Sequence, residues 1–326
     1  MNYRNWSRIF RLYVTGLSMG TADLIPGVSG GTIAFVSGIY EELLYSINLI
    51  TGQVLKLWLK GKIREGWNMV PFRFLIPLGL GITSAIFGLA HALSWLLQMY
   101  PVYVWGFFFG LVIASTVIVT KRVGTWSIQR LILFVLSAVG AFLLVGLSPV
   151  ETPFTPWMIF LSGFIAICAM ILPGISGSFI LLLLGKYRQV LEAVTERDFF
   201  TLGVLSLGCI LGIALFSRFL GWLFRKHHDI SVVVLAGCML GSVRKIWPWQ
   251  LENQPVLPDH FGVEAGIVLA FMLLGFTIVF GLNRFRLLKE RTQDLGNKAF
   301  VHEHQAALEP TNEQATAKYP TGSSGI

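Results

Sequence analysis

Two stretches of this chain carry one uncommon string. Leu24-Ile25-Pro26-Gly27-Val28-Ser29-Gly30-Gly31 returns as Ile171-Leu172-Pro173-Gly174-Ile175-Ser176-Gly177-Ser178. Proline ends a helix because it lacks an N–H and crowds the turn before it. Glycines let the backbone turn and let a ligand come close. Ser29 and Ser176 can cap the helix that follows or offer a hydroxyl. The string therefore predicts a helix starting afresh with free N–H groups, an end that attracts anions and phosphate above all. Gly27, Val28, Ser29, Gly30 and Gly31 are candidate anion ligands, with Gly174, Ile175, Ser176, Gly177 and Ser178 as their counterparts. The plainer reading is a pair of helix breaks with glycines for tight packing. Occurrence in both halves favours binding.

Charged side chains near these strings are the other candidates. Asp23 lies three residues before Pro26, and its counterpart is Met170, so the repeat alone does not demand an acid there. An ionisable group at membrane depth is costly and usually functional. Asp23 is read either as a proton or cation site that couples transport or as a cap on the turn. Glu41 and Glu42 are coupling acids or the wet end of a helix. Arg218 lies inside an apolar run, to meet a phosphate or to snorkel outward, and His91 occupies nearly the matching place in the first half. Lys186 and Arg188, with Arg197, form an electropositive mouth for anions or ordinary interfacial charge.

The elements that position these residues follow from composition. Of 326 residues 54% are hydrophobic and only 13% charged, too few charges to coat a soluble domain of this size. Apolar runs near 74–97, 102–120, 130–148, 200–224, 231–247 and 264–283 approach the roughly 20 residues a helix needs to span about 30 Å of hydrocarbon. Basic residues sit between these runs, so the net charge of +8 reads as membrane orientation and not as nucleic-acid binding. Cys168, Cys209 and Cys238 lie in apolar segments without metal-ligand spacing.

Loop charge then sets the topology. Arg4, Arg8 and Arg11 hold the N-terminus inside, and Lys56, Lys60, Lys62, Arg64 and Arg73 hold the next loop inside too. The stretch from Val14 to Ile50 must enter the membrane and return. Its arms are too short to span, which predicts a broken re-entrant hairpin lining protein or a wet cavity. Ser148 to Pro156, with Glu151 and no Lys or Arg, lies outside, so the second hairpin enters from the other face. The predicted fold class is an all-α polytopic membrane protein. It has two inverted-topology repeats, each a broken re-entrant helical hairpin plus three transmembrane helices, a plan shared by many secondary transporters. The predicted parts are an amphipathic cytoplasmic N-terminus (1–13), a first repeat (14–148), a second repeat (149–285) and a polar, disordered cytoplasmic tail (286–326).

The segments Met19–Leu44 and Ile171–Tyr187 together resemble a family of bacterial and archaeal membrane proteins, domain-of-unknown-function family 368, regarded as PopT-type undecaprenyl phosphate translocases. The resemblance runs from about Trp6 to Phe285. Arg284, Arg286, Lys289 and Arg291 put the C-terminus inside, so both termini are expected to be cytoplasmic. The resemblance implies a transporter in the bacterial cytoplasmic membrane that returns undecaprenyl phosphate from the outer to the inner leaflet. That step recycles the lipid carrier of peptidoglycan and other envelope sugars. The family motif carries over to Pro26, Gly27, Ser29, Gly30, Pro173, Gly174, Ser176 and Gly177. The implied partners are an anionic isoprenoid lipid and a coupling proton or sodium ion, with no cofactor and no enzymatic step. The residues by themselves support an anion-binding inverted-repeat transporter; the lipid comes from the resemblance.

Two other functions are open. An ion-coupled secondary transporter of another anionic lipid or a small anion shares the same site chemistry. Both strings also read GxSG, as in intramembrane serine proteases, but a serine nucleophile needs a base and only His91 lies in a spanning run.

Overall fold

The structure is a computed structural model that describes residues 3–25, 27–150, 152–251, 254–258 and 262–284. Pro26, Glu151, Arg286, Lys289, Arg291 and the expected disordered tail (286–326) lie outside the described residues. The chain forms one compact unit, Met1–Phe280, and a second, Gly281–Ile326, of which residues 281–284 are described.

The protein is an all-α polytopic membrane protein. Helix α1 (Tyr3–Asp23) is followed by α2 (Gly30–Val36) and α3 (Tyr40–Leu49). Helix α3 runs through a π turn (Ile50–Val54) into α4 (Leu55–Leu59), and α5 (Ile63–Met69) leads to the long α6 (Phe72–Met99), α7 (Pro101–Thr120) and α8 (Ile128–Val145). The second half has α9 (Pro156–Ile171), α10 (Gly177–Leu183), α11 (Tyr187–Thr195), α12 (Phe199–Lys226) and α13 (His228–Ser242). A 3₁₀ turn (Val243–Ile246) and a two-residue hairpin pairing Gln250–Leu251 with Gln254–Pro255 precede α14 (Val263–Arg284). Helices α6, α7, α8, α12 and α14 are long and apolar enough to cross a membrane, and α9 is a shorter apolar helix.

Local chemistry explains the boundaries. Pro101 and Pro156 stand at first helical positions, where the missing N–H is no loss. Ser127 Oγ caps α8 through Arg130 N, and Asp198 caps α12 through Phe200 N and Thr201 N. Helix α1 runs unbroken across residue 13. One expectation shifts. The run 231–247 stops being α-helical at Ser242, so α13 is only about 22 Å long and the 3₁₀ turn extends it. Residues 50–69 have no counterpart in the second half.

Helix pairing recurs between the halves. Gly16 and Gly81 bring α1 and α6 into backbone contact, and Gly163 and Gly208 do the same for α9 and α12. Gly110 and Gly275 seat α7 on α14, as Gly241 and its neighbour Ala138 seat α13 on α8. Small residues are what allow such approach in lipid. The last helix of each half thus packs on a helix of the other.

Candidate functional site

Both motif loops break a helix in the same way. Gly27 (φ +89°) and Gly174 (φ +94°) adopt backbone that other residues rarely tolerate. Ser29 and Ser176 follow in extended conformation as N-caps of α2 and α10. Their hydrogen bonds differ. In the first loop Asp23 Oδ1 accepts from Gly30 N (2.7 Å), Ser29 Oγ accepts from Gly31 N (3.1 Å) and Ser29 O accepts from Thr32 N (3.0 Å). The leading amides of α2 are therefore occupied, which corrects the expectation of free N–H groups there. In the second loop Met170 replaces Asp23, and Ser176 Oγ bonds Ser178 Oγ (2.7 Å) and caps nothing. Among the described residues, Gly177 N and Ser178 N have no acceptor. Ser29 is 1% exposed and Ser176 8%, while Met170, beside Gly177, is 42% exposed and faces outward.

The loops meet. A Cβ on Gly31 would lie 3.2 Å from Ile171 O at the end of α9, and Tyr40 Oη donates to that same carbonyl (3.0 Å). Both loops also rest on one element. Gly174 lies against Met239 and Ser242 of α13, and Gly27 against Lys245 and Ile246 of the 3₁₀ turn, one turn further on. Two backbone breaks from distant parts of the sequence are thus held a helical turn apart. Thr32, on α2, is fully buried and its Oγ1 has no partner among the described residues.

The undecaprenyl phosphate translocase-like (VCA0040-like) family profile matches residues 19–261, a span that contains both loops and the element on which they meet. The chain belongs to this family. It is similar to the "Polyprenyl-phosphate transporter" of Vibrio cholerae, 44% identical over 238 residues, covering 73% of this chain and 77% of that one. It is also similar to the "Polyprenyl-phosphate transporter" of Staphylococcus aureus, 28% identical over 302 residues, covering 87% of this chain and 98% of that one. No solved structure matches it with significance.

In this family member the other expected residues lie apart from the loops or are already engaged. Lys186 is 1% exposed and donates to Thr152 O (2.6 Å) and Pro153 O (2.9 Å). It fastens the segment before α9, which corrects its expected place at an electropositive mouth. Arg188 is exposed and pairs with Glu192 one turn along α11 (2.8 Å). Arg197 adopts a left-handed turn (φ 58°) between α11 and α12. Arg218 donates to Thr51 O in the π turn (2.7 Å), and His91 faces outward on α6. Glu41 contacts His228 (3.2 Å) and Glu42 pairs with Arg8 (2.6 Å), both at exposed positions. Among the described residues no histidine bonds Ser29 or Ser176.

Three basic residues near the loops were missed. Arg122 donates to Phe35 O (3.0 Å) and Val36 O (2.8 Å), closing the C-terminal end of α2. Arg244 donates to Phe142 O (3.2 Å) and Gln254 Oε1 (2.8 Å). Lys245 runs its stem past Gly27 and sets Nζ 5.3 Å from the Phe179 ring centroid. The available signal was the Arg244-Lys245 pair inside an otherwise apolar run.

Proposed function

We propose that the protein carries undecaprenyl phosphate from the outer to the inner leaflet of the cytoplasmic membrane, returning the carrier lipid for reuse. The observation that carries this reading is the meeting of the two PG(V/I)SG loops on α13 and its 3₁₀ extension. Family membership and the names of the two relatives support the polyprenyl phosphate class. A bare phosphate in hydrocarbon is prohibitively costly, so a flipping path needs polar groups at depth beside a lateral opening for the tail. The second loop has two amides unoccupied among the described residues and the Ser176 and Ser178 hydroxyls, with outward-facing Met170 alongside.

The two halves act as inverted repeats with re-entrant hairpins. Supporting this are the recurring glycine-mediated helix pairs, the loop charges, and the 114° bend between Gly30–Val36 and Tyr40–Leu59. Rocking of one repeat against the other then exposes the headgroup to each leaflet in turn. Asp23, half-buried beside the first loop, is the acid on which a proton or sodium ion couples this motion.

The test uses vesicles containing undecaprenyl phosphate and an added phosphatase that cannot cross the bilayer. Wild-type protein is expected to make the inner-leaflet lipid accessible, and Gly174→Leu to slow this at least tenfold. Ser176→Ala serves as a milder variant in case Gly174→Leu does not fold. A wild-type rate equal to that of empty vesicles rejects the function. Full-rate variants reject the loop as the carrier site, and equal transport of inorganic phosphate shifts the reading to a small-anion carrier.

A further inference from the structure

A phosphate monoester carries about −1.5 to −2 charges at neutral pH. Amides and hydroxyls do not neutralise it, and a low-dielectric path makes a nearby cation the strongest remaining contribution. The cations around the loops are mostly committed. Arg122 holds the carbonyls of Phe35 and Val36, Arg244 holds Phe142 O and Gln254, and Lys186 holds Thr152 O and Pro153 O. Lys245 differs from all of them. Among the described residues its Nζ has no carboxylate and no hydrogen-bond acceptor, only the face of Phe179.

Its placement is fixed by the backbone on both sides. The 3₁₀ turn is tied by Gln250 Nε2, which donates to Lys245 O (2.7 Å) and Trp247 O (3.0 Å). The stem crosses the first loop at Gly27, where a Cβ would lie 2.7 Å from Lys245 Cγ. The ammonium then reaches Phe179, three residues after Ser176 in the second loop. One side chain thus runs from the first motif loop to the helix that the second loop opens, and Gly27 is bare of a side chain where it passes.

We propose that Lys245 is the cationic ligand of the substrate's phosphate monoester, leaving the Phe179 ring to pair with a headgroup held by the second loop. This rests on the transport reading above and names the charge that the motif itself lacks. The half-buried ammonium sits in apolar surroundings, where an unpaired charge is costly without a functional partner. The aromatic contact holds it in place and is readily exchanged for an anion.

Full-length protein in detergent, titrated with undecaprenyl phosphate and followed by ligand-dependent thermal shift, tests the assignment. Lys245→Met is expected to bind at least tenfold more weakly and Lys245→Arg within threefold of wild type. The uncharged alcohol undecaprenol is expected not to distinguish wild type from Lys245→Met. A second measurement needs no variant: lysine acylation of wild-type protein, read by peptide mass spectrometry. Undecaprenyl phosphate is expected to protect Lys245 at least threefold, and inorganic phosphate at the same concentration to leave it unprotected. Unchanged binding by Lys245→Met, or equal acylation with and without the lipid, overturns the role of Lys245 while leaving the transport reading intact. Equal protection by inorganic phosphate overturns the lipid headgroup as its ligand. Wild-type protein that does not bind undecaprenyl phosphate brings down both.

Discussion

The loop at Gly27–Gly31 and the loop at Gly174–Ser178 share a backbone: a positive-φ glycine, an extended serine and a short helix. In the first, Asp23 and Ser29 use up the leading amides. In the second, Met170 stands at the matching position, and among the described residues the amides of Gly177 and Ser178 are left open. Other matched positions diverge as well. Thr32 faces Phe179 across the repeat, and counting four residues on from Gly110 and Gly241 matches buried Ala114 to Lys245. A shared backbone thus carries different side chains, an acid beside one copy and a base near the other. The first loop satisfies its own leading amides, and the second does not do so among the described residues.

The largest expected effect comes from removing the acid of the closed loop. Asp23→Ala strands Gly30 N and is expected to cost about 2 kcal/mol of stability, the scale of a hydrogen bond to a charged group, measured by thermal denaturation in detergent. Asp23→Asn keeps an acceptor and is expected to recover most of this while abolishing ion dependence in the vesicle assay. Equal losses in both variants would remove the capping role. Next, Met170→Asp copies the closed loop onto the open one. Transport is expected to fall about tenfold, or about 1.4 kcal/mol of barrier, with no loss of melting temperature. Full activity in that variant would show that the amides of the second loop do not touch the anion.

The serines give a smaller contrast. Ser29→Ala is expected to lose about 1 kcal/mol of stability, as N-cap removal does. Ser176→Ala, which caps nothing, is expected to keep its melting temperature and weaken lipid binding about threefold. The reverse pattern would erase the distinction between the loops. Smallest is a control away from both. The Thr201 hydroxyl, bonded to Asp198, and then the α12 amides hold that carboxyl below the usual range. Such a group contributes stability above its unfolded pKa and loses it as pH falls through the folded value. The decline is therefore expected below about pH 4. Asp198→Asn should flatten that part of the melting profile, and an unaltered slope would show the cap to be thermodynamically silent.

The long helices were legible because apolar run length is a direct reading of membrane thickness, and α6, α7, α8, α12 and α14 fall within a few residues of those runs. The end of α13 was not, since Val243 and Ile246 are as apolar as the helix they follow and only hydrogen bonding marks the change to 3₁₀. Within the site, the loops were visible because the string occurs twice. The bond from Gly30 to Asp23 was among the options that residue spacing left open. Lys186 looked free because sequence does not show that the carbonyls of Thr152 and Pro153 fold back onto it. Lys245 was passed over because its neighbours, Gly27 and Phe179, come from distant parts of the chain, brought together by the path of α13.

The exchange of partners between halves has a consequence for how the chain is made. Helix α8 leaves the ribosome well before α13, the helix whose Gly237 and Gly241 receive its Phe134 and Ala138 carbonyls. Until the later segment inserts, that flank of α8 borders lipid, and α7 likewise waits for Val268 and Met272. A polypeptide cut between the repeats would yield an N-terminal fragment with two unfilled seams. The packing of the half translated first is therefore completed only when the second half is in place.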